Sequence, residues 1–121
     1  MPPKVSIVTA VYNGEDYLDE SVNSILNQTF DDFEFIIIND GSTDNTLSNL
    51  KKIDDPRIRI IHQSNHGQTN ALITGIEQAK GELIARLDVD DYSLPNRLMR
   101  QVELMDTHPR IVFCGSRFEE L

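Results

Sequence analysis

Three carboxylates crowd into four residues at Asp88-Val89-Asp90-Asp91, directly after the apolar stretch from Glu82 to Leu87. At about 5 Å and an effective dielectric of about 20, each like-charged pair costs about 3 kcal/mol. A hard divalent cation offsets such repulsion, taking one or two carboxylates from the protein while diphosphate oxygens complete its shell. The same residues also read as a solvated turn that caps the following helix. Asp40-Gly41-Ser42-Thr43-Asp44 is a second chemical candidate. Its Gly supplies a tight turn and Ser42 or Thr43 is expected to cap the next helix, which leaves the Asp40 carboxylate free to accept a hydrogen bond from a base N–H. Tyr12 is either a packed aromatic or a flat face for stacking a base, a contact worth about 1–3 kcal/mol.

Other polar residues give weaker signals. His62, His66 and His108 lack the spacing of a metal triad, so each is expected to serve a loop or a helix end. The stretch Gln63 to Gln68 is long enough to reach a phosphate or sugar. Met99 and Met105 read as core, and Arg97 and Arg100 as solvated, with Arg97 close to the acidic run. Cys114 is the only cysteine and reads as a small buried apolar residue; alone it offers no disulfide, no CxxC pair and no thiolate cluster. There is no Gly-x-x-x-x-Gly-Lys-Ser/Thr loop, no Gly-x-Gly-x-x-Gly and no Gly-x-Ser-x-Gly elbow, which removes the main support for nucleoside triphosphatase, dinucleotide-binding and serine hydrolase readings.

The elements that must position these groups follow from periodicity. Val5 to Val11 and Phe33 to Ile38 are near-continuous β-rich runs that suit strands buried on both faces of a parallel sheet. Arg57 to His62, Glu82 to Leu87 and Ile111 to Cys114 read as three further strands. Helices are expected from Glu15 to about Gln28, through Leu47 and Leu50, from about Thr69 to Lys80 with Gly81 just past its end, and from Pro95 to the stop at His108-Pro109. Five strands alternating with four helices predict an α/β fold, a doubly wound, mostly parallel, Rossmann-like sheet in α/β/α layers, with ligands at the carboxyl ends of the strands. All three chemical candidates fall at such ends.

At 121 residues the chain fits one domain, spanning 1–121. Its 39% hydrophobic and 26% charged residues are an ordinary globular composition. A net charge of −9 argues against nucleic acid or an anionic membrane surface as a general partner. No apolar run reaches the roughly 20 residues of a membrane span, and the N-terminus lacks a signal-peptide core, so the cytoplasm is the expected location.

In order along the chain, Val5-Ser6-Ile7-Val8-Thr9-Ala10-Val11-Tyr12-Asn13, Ser24-Ile25-Leu26-Asn27-Gln28-Thr29-Phe30, Asn39-Asp40-Gly41-Ser42-Thr43-Asp44, Gly67-Gln68-Thr69-Asn70-Ala71-Leu72, Ala79-Lys80-Gly81-Glu82 and Leu87-Asp88-Val89-Asp90-Asp91 resemble the family 2 glycosyltransferases of the GT-A fold. The resemblance implies a nucleoside-diphosphate sugar as ligand, a UDP-sugar first of all. It implies that Thr9, Ala10 and Tyr12 border the base, that Asp40 bonds its ring N–H, and that Asp88 lies near ribose and sugar. Asp90, with Asp88, would ligate Mn2+ or Mg2+ on the diphosphate. It further implies an inverting transfer to a saccharide or lipid-linked acceptor in polysaccharide biosynthesis, by an enzyme lying in the cytoplasm or peripherally at the inner membrane face. The acceptor site and the carboxylate base are expected beyond Leu121, making this chain the donor-binding half, with little or no transfer of its own. A sheet edge left by such a cut would favour a homo-oligomer.

Three rival classes remain, one of them a sugar nucleotidyltransferase, which wants a glycine-rich, basic loop after the first strand where this chain has Val11-Tyr12-Asn13-Gly14-Glu15. A phosphoacceptor receiver domain needs an acid pair after the first strand and a Lys after the fifth, where this chain has Tyr12-Asn13 and Gly115-Ser116. A catalytically silent interaction module would keep the fold without the ligand.

Overall fold

The computed structural model describes residues 1–115, so Ser116 lies outside the described residues. Its elements are β1 (Val5–Val11), α1 (Leu18–Leu26), β2 (Phe33–Asp40), α2 (Thr46–Lys51), β3 (Ile58–Gln63), α3 (Gln68–Gln78), β4 (Leu83–Arg86) and α4 (Arg97–Thr107). The four strands form one parallel sheet in the order β3-β2-β1-β4. The chain thus winds outward from β1 through β2 to β3, then crosses back to lay β4 on the other side of β1. That reversal is where a doubly wound sheet opens a crevice at its carboxyl edge.

Alternation within the central strands explains the layers, because successive side chains point to opposite faces. Val5, Ile7 and Val11 of β1 and Phe33, Phe35 and Ile37 of β2 pack with Leu18, Val22 and Ile25 of α1, Leu50 of α2, and Leu98 and Val102 of α4. On the other face Ile36 and Ile38 of β2 meet Ala71 of α3, with Ala10, Ile61 and Ala79 at the margin. Burial on both faces is why β1 and β2 lack the polar alternation of a half-exposed strand.

Several expectations need correction. Residues 111–115 form no strand, and Val112 and Phe113 are each 87% exposed. A short apolar run becomes a strand only where a neighbour completes its hydrogen-bond ladder, and among the described residues no strand pairs with it. Cys114 is accordingly half-buried rather than buried. Gly81 does not close α3, which ends at Gln78 with Ala79 extended. It lies instead where a Cβ would come within 2.6 Å of the Ser6 backbone nitrogen. Met99 faces solvent at 42% exposure, whereas Met105 is half-buried. None of the described helices is long and apolar enough to cross a membrane.

Candidate functional site

Strand register brings the chemical candidates side by side. Val11 pairs with Asn39 on β2, and Val8 pairs with Arg86 on β4. Beyond the last β4 pair the alignment continues, since the Leu87 N–H donates to the Val8 carbonyl at 3.1 Å and the Thr9 hydroxyl donates to the Leu87 carbonyl at 2.6 Å. Asp40 therefore flanks the end of β1 on one side and Asp88 flanks it on the other. Two strand spacings separate β2 from β4, roughly 10 Å. Ala10 is half-buried between them, and Tyr12 stands at the crest, 51% exposed. Thr9 is buried with its hydroxyl committed to Leu87, so it fastens the root of the acidic loop.

The acidic loop turns on Val89. Its side chain packs against the core, and a Cβ at Gly14 would come within 2.6 Å of Val11 Cγ2 and 3.1 Å of Val89 Cγ2. With Val89 seated inward, one carboxylate oxygen from each of Asp88, Asp90 and Asp91 lies within 4.8 Å of the others. Asp88 is half-buried and accepts a 3.3 Å bond from the Arg86 guanidinium, whereas Asp90 and Asp91 are exposed. Among the described residues no hydrogen-bond donor reaches the Asp90 or Asp91 carboxylates. Three converging oxygen donors, two of them uncommitted, fit a hard divalent cation that keeps part of its shell for other oxygens.

Asp40 occupies a different environment. It is 2% exposed, and its carboxylate accepts from the Gln63 side-chain amide at 3.0 Å and from the His66 and Gly67 N–H groups at 2.9 and 3.0 Å. Burial pushes its pKa up, but these three donors outweigh that and hold it below the usual carboxylate range. The stretch after β3, expected to reach for a ligand, is thereby tied to the end of β2. Gly41 permits the approach: its φ is +71°, and a Cβ there would come within 2.6 Å of the Asn65 backbone nitrogen. Asp44 behaves in the same way: burial raises its pKa, and bonds from Thr46 and the Glu15 N–H outweigh that and lower it.

Ser42 and Thr43 do not cap α2, contrary to expectation; the side chain that accepts from its first N–H, that of Thr46, is Asp44, at 2.9 Å. They bind the neighbouring loop. The Asn13 N–H donates to Ser42 Oγ at 3.0 Å, while Asn13 Oδ1 accepts from the Thr43 and Asp44 N–H groups at 2.8 and 3.3 Å. Asn13 takes a left-handed φ of 53°, which Asn tolerates better than most residues. The loops after β1 and β2 abut because their strands are register neighbours.

Sequence reasoning missed the residues that hold the far end of the acidic loop. Gln28 is buried at the end of α1, where its amide donates to the Leu94 carbonyl at 2.7 Å and its carbonyl accepts from the Leu98 N–H at 3.0 Å. Ser24 Oγ accepts from the Ser93 N–H at 3.1 Å. Arg97 is not solvated as expected. It is half-buried, and burial, only partly opposed by Asp91, lowers its pKa. The detectable signal was the polar set of Ser24 on α1 and Gln28 and Thr29 just past its end, in a stretch otherwise read for its apolar stripe.

A pH dependence follows from these anchors. The folded chain holds Asp40 and Asp44 below their unfolded pKa values, so stability is fully present at neutral pH and is lost as pH falls through the folded values. Urea midpoints are expected to hold steady down to about pH 5 and to drop below about pH 4. A midpoint unchanged at about pH 3 would contradict the assignment.

A parallel sheet with this strand order, covered by helices on both faces and bearing an acidic loop after β4, has the architecture of the GT-A glycosyltransferases. It superimposes on the crystal structure of S. aureus TarS 1-349 in complex with UDP-GlcNAc with a TM-score of 0.82 at 30% identity, covering 88% of this chain and 32% of that one. The mannosyltransferase PcManGT from Pyrobaculum calidifontis, in complex with GDP-Man and Mn2+, shares the fold with a TM-score of 0.79 at 22% identity, covering 87% of this chain and 33% of that one.

The chain belongs to glycosyl transferase family 2, whose family model matches residues 6–120. An uncharacterized glycosyltransferase of Haemophilus influenzae is 42% identical over 97% of this chain and 37% of its own length. The uncharacterized glycosyltransferase EpsJ of Bacillus subtilis is 39% identical over 95% of this chain and 34% of its own length. The chain thus spans about a third of the length of these relatives.

Proposed function

We propose that this chain is the donor-binding part, in a single domain, of an inverting glycosyltransferase that takes a nucleoside-diphosphate sugar, a UDP-sugar first of all. The observation that carries the reading is the row formed by Asp40, the end of β1 and the acidic loop across three adjacent strands. A base at one end of that row and a diphosphate at the other match its length of roughly two strand spacings. The likeness to TarS, determined with UDP-GlcNAc, supports a uridine nucleotide.

In this reading Tyr12 stacks on the base, with Thr9 and Ala10 beneath it. A carboxylate offers roughly four acceptor positions, of which Asp40 has three filled, and in this reading the fourth, within the small part of the residue left exposed, accepts the ring N–H. Asp88 lies toward the ribose and sugar, and Asp90 and Asp88 hold the cation, Mn2+ or Mg2+. Such a cation, when bound, supplies charge stabilisation for the departing diphosphate. The acceptor is a saccharide or lipid-linked hydroxyl, and the carboxylate that deprotonates it comes from beyond Leu121. The parent enzyme works in polysaccharide synthesis, in the cytoplasm or peripherally at the inner membrane face.

Calorimetric titration of UDP into the chain, with and without Mn2+, tests the reading. Binding that strengthens with Mn2+ is expected. Titrations without heat in both conditions would overturn it in favour of a silent interaction module, and robust transfer to a defined acceptor by the chain alone would overturn the donor-half assignment.

A further inference from the structure

The acidic loop leaves β4 at Arg86 and is gathered again at Ser93, and one side chain joins these two points. Arg97, at the start of α4, donates one guanidinium nitrogen to the Arg86 carbonyl and another to Ser93 Oγ, both at 2.9 Å. Its charge also faces Asp91. Ser93 is itself fixed from behind, through its N–H to Ser24. The segment between them carries Asp88, Asp90 and Asp91, and a 2.9 Å bond from the Asp91 N–H to the Asp88 carbonyl tightens its turn.

We propose that Arg97 is a positioning residue for the acidic loop: by bridging Arg86 and Ser93 it closes the loop at its base and presents the carboxylates as one set. The inference rests on the reading of that loop as a cation and diphosphate site. The rigid fork of an arginine reaches two acceptors at once, which the single ammonium of a lysine cannot reproduce. Without the bridge the six residues from Leu87 to Tyr92 lose the brace that holds their ends together. Cation binding must then order the loop as well as fill it.

Mn2+ affinity, read from the free-ion electron paramagnetic resonance signal, tests this in the wild-type chain and in Arg97→Met, Arg97→Lys and Ser93→Ala. Metal-free UDP affinity and the unfolding midpoint are measured alongside. Arg97→Met is expected to weaken Mn2+ binding by about 10- to 100-fold, as loss of a supporting partner around a metal typically does, while metal-free UDP affinity stays unchanged. Arg97→Lys is expected to fall with Arg97→Met. Ser93→Ala, which removes one acceptor and leaves the backbone, is expected to lose less, about 10-fold, and decides the matter should Arg97→Met fail to fold.

Wild-type Mn2+ affinity in Arg97→Lys would overturn the bridge in favour of charge alone, and unchanged affinity in Arg97→Met or Ser93→Ala would overturn the positioning role outright. Equal losses of Mn2+ and metal-free UDP binding would assign Arg97 to general stability instead. A wild-type chain that binds no Mn2+ would overturn the cation reading and this inference together, an outcome distinct from the others.

Discussion

Asp90→Ala is expected to remove the Mn2+ dependence of UDP binding, cutting the metal-supported affinity by about 100-fold or more while leaving the fold intact. Loss of a partner that merely supports a metal ligand already costs about 10- to 100-fold, so loss of a direct ligand sets a higher floor. The side chain is exposed, no described donor reaches it, and it lies beside Asp88 and Asp91 with oxygens inside 4.8 Å. Removing one of three mutually repelling carboxylates relieves the folded state, so the unfolding midpoint is expected to hold or rise slightly. Calorimetry of UDP with and without Mn2+, set against a thermal melt, separates the two effects. A variant that keeps the full Mn2+ enhancement would show that Asp90 holds no cation.

Asp40→Ala acts on the opposite side of the site and by another route. It is expected to destabilise the ligand-free chain by about 3 kcal/mol. Hydrogen bonds to charged groups contribute about 1.5–3 kcal/mol each, and water entering the space recovers part of the total. Three donors lose their acceptor: the Gln63 amide and the His66 and Gly67 N–H groups. Because Asp40 is only 2% exposed, water reaches the three donors fully only as the turn between β3 and α3 opens, so the recovery is partial. Asp40→Asn keeps one acceptor oxygen but turns an amide NH2 toward a donor, so about half that loss is expected. Urea unfolding without nucleotide measures both variants. A loss under about 1 kcal/mol for Asp40→Ala would show that the anchor carries little of the fold.

These two aspartates show where reading the chain in one dimension succeeds. The buried runs Val5–Val11 and Phe33–Asp40 have a β-rich composition that suits central parallel strands, and with the helices between strands the fold class follows from them. Tyr12, Asp40 and Asp88 stand at the carboxyl ends of β1, β2 and β4, where the rule for doubly wound sheets places ligands. Asp40 was legible as a strand-end acid, but its three local donors were not. They come from residues 63–67, whose approach depends on β3 lying beside β2.

Ser42 and Thr43 failed as helix caps for the same reason. Capping is a local rule, and the Asn13 amide from the adjacent strand end competes for the same polar groups. Arg97 read as a solvated helix residue because nothing in its local sequence shows that the Arg86 carbonyl lies within its reach. The strand expected at Ile111 to Cys114 does not form, since no described strand pairs with that segment.

Side-chain periodicity and strand-end chemistry, both properties of short segments, determined by themselves the α/β class and the acidic character of the site. Only the tertiary structure decided which polar groups meet: Asp40 with the turn after β3, Asn13 with the loop after β2, Gln28 and Arg97 with the ends of the acidic loop. The physical reason is range. Burial patterns are imposed residue by residue along the chain, whereas a hydrogen bond across strands depends on register and strand order, which the folded sheet alone supplies.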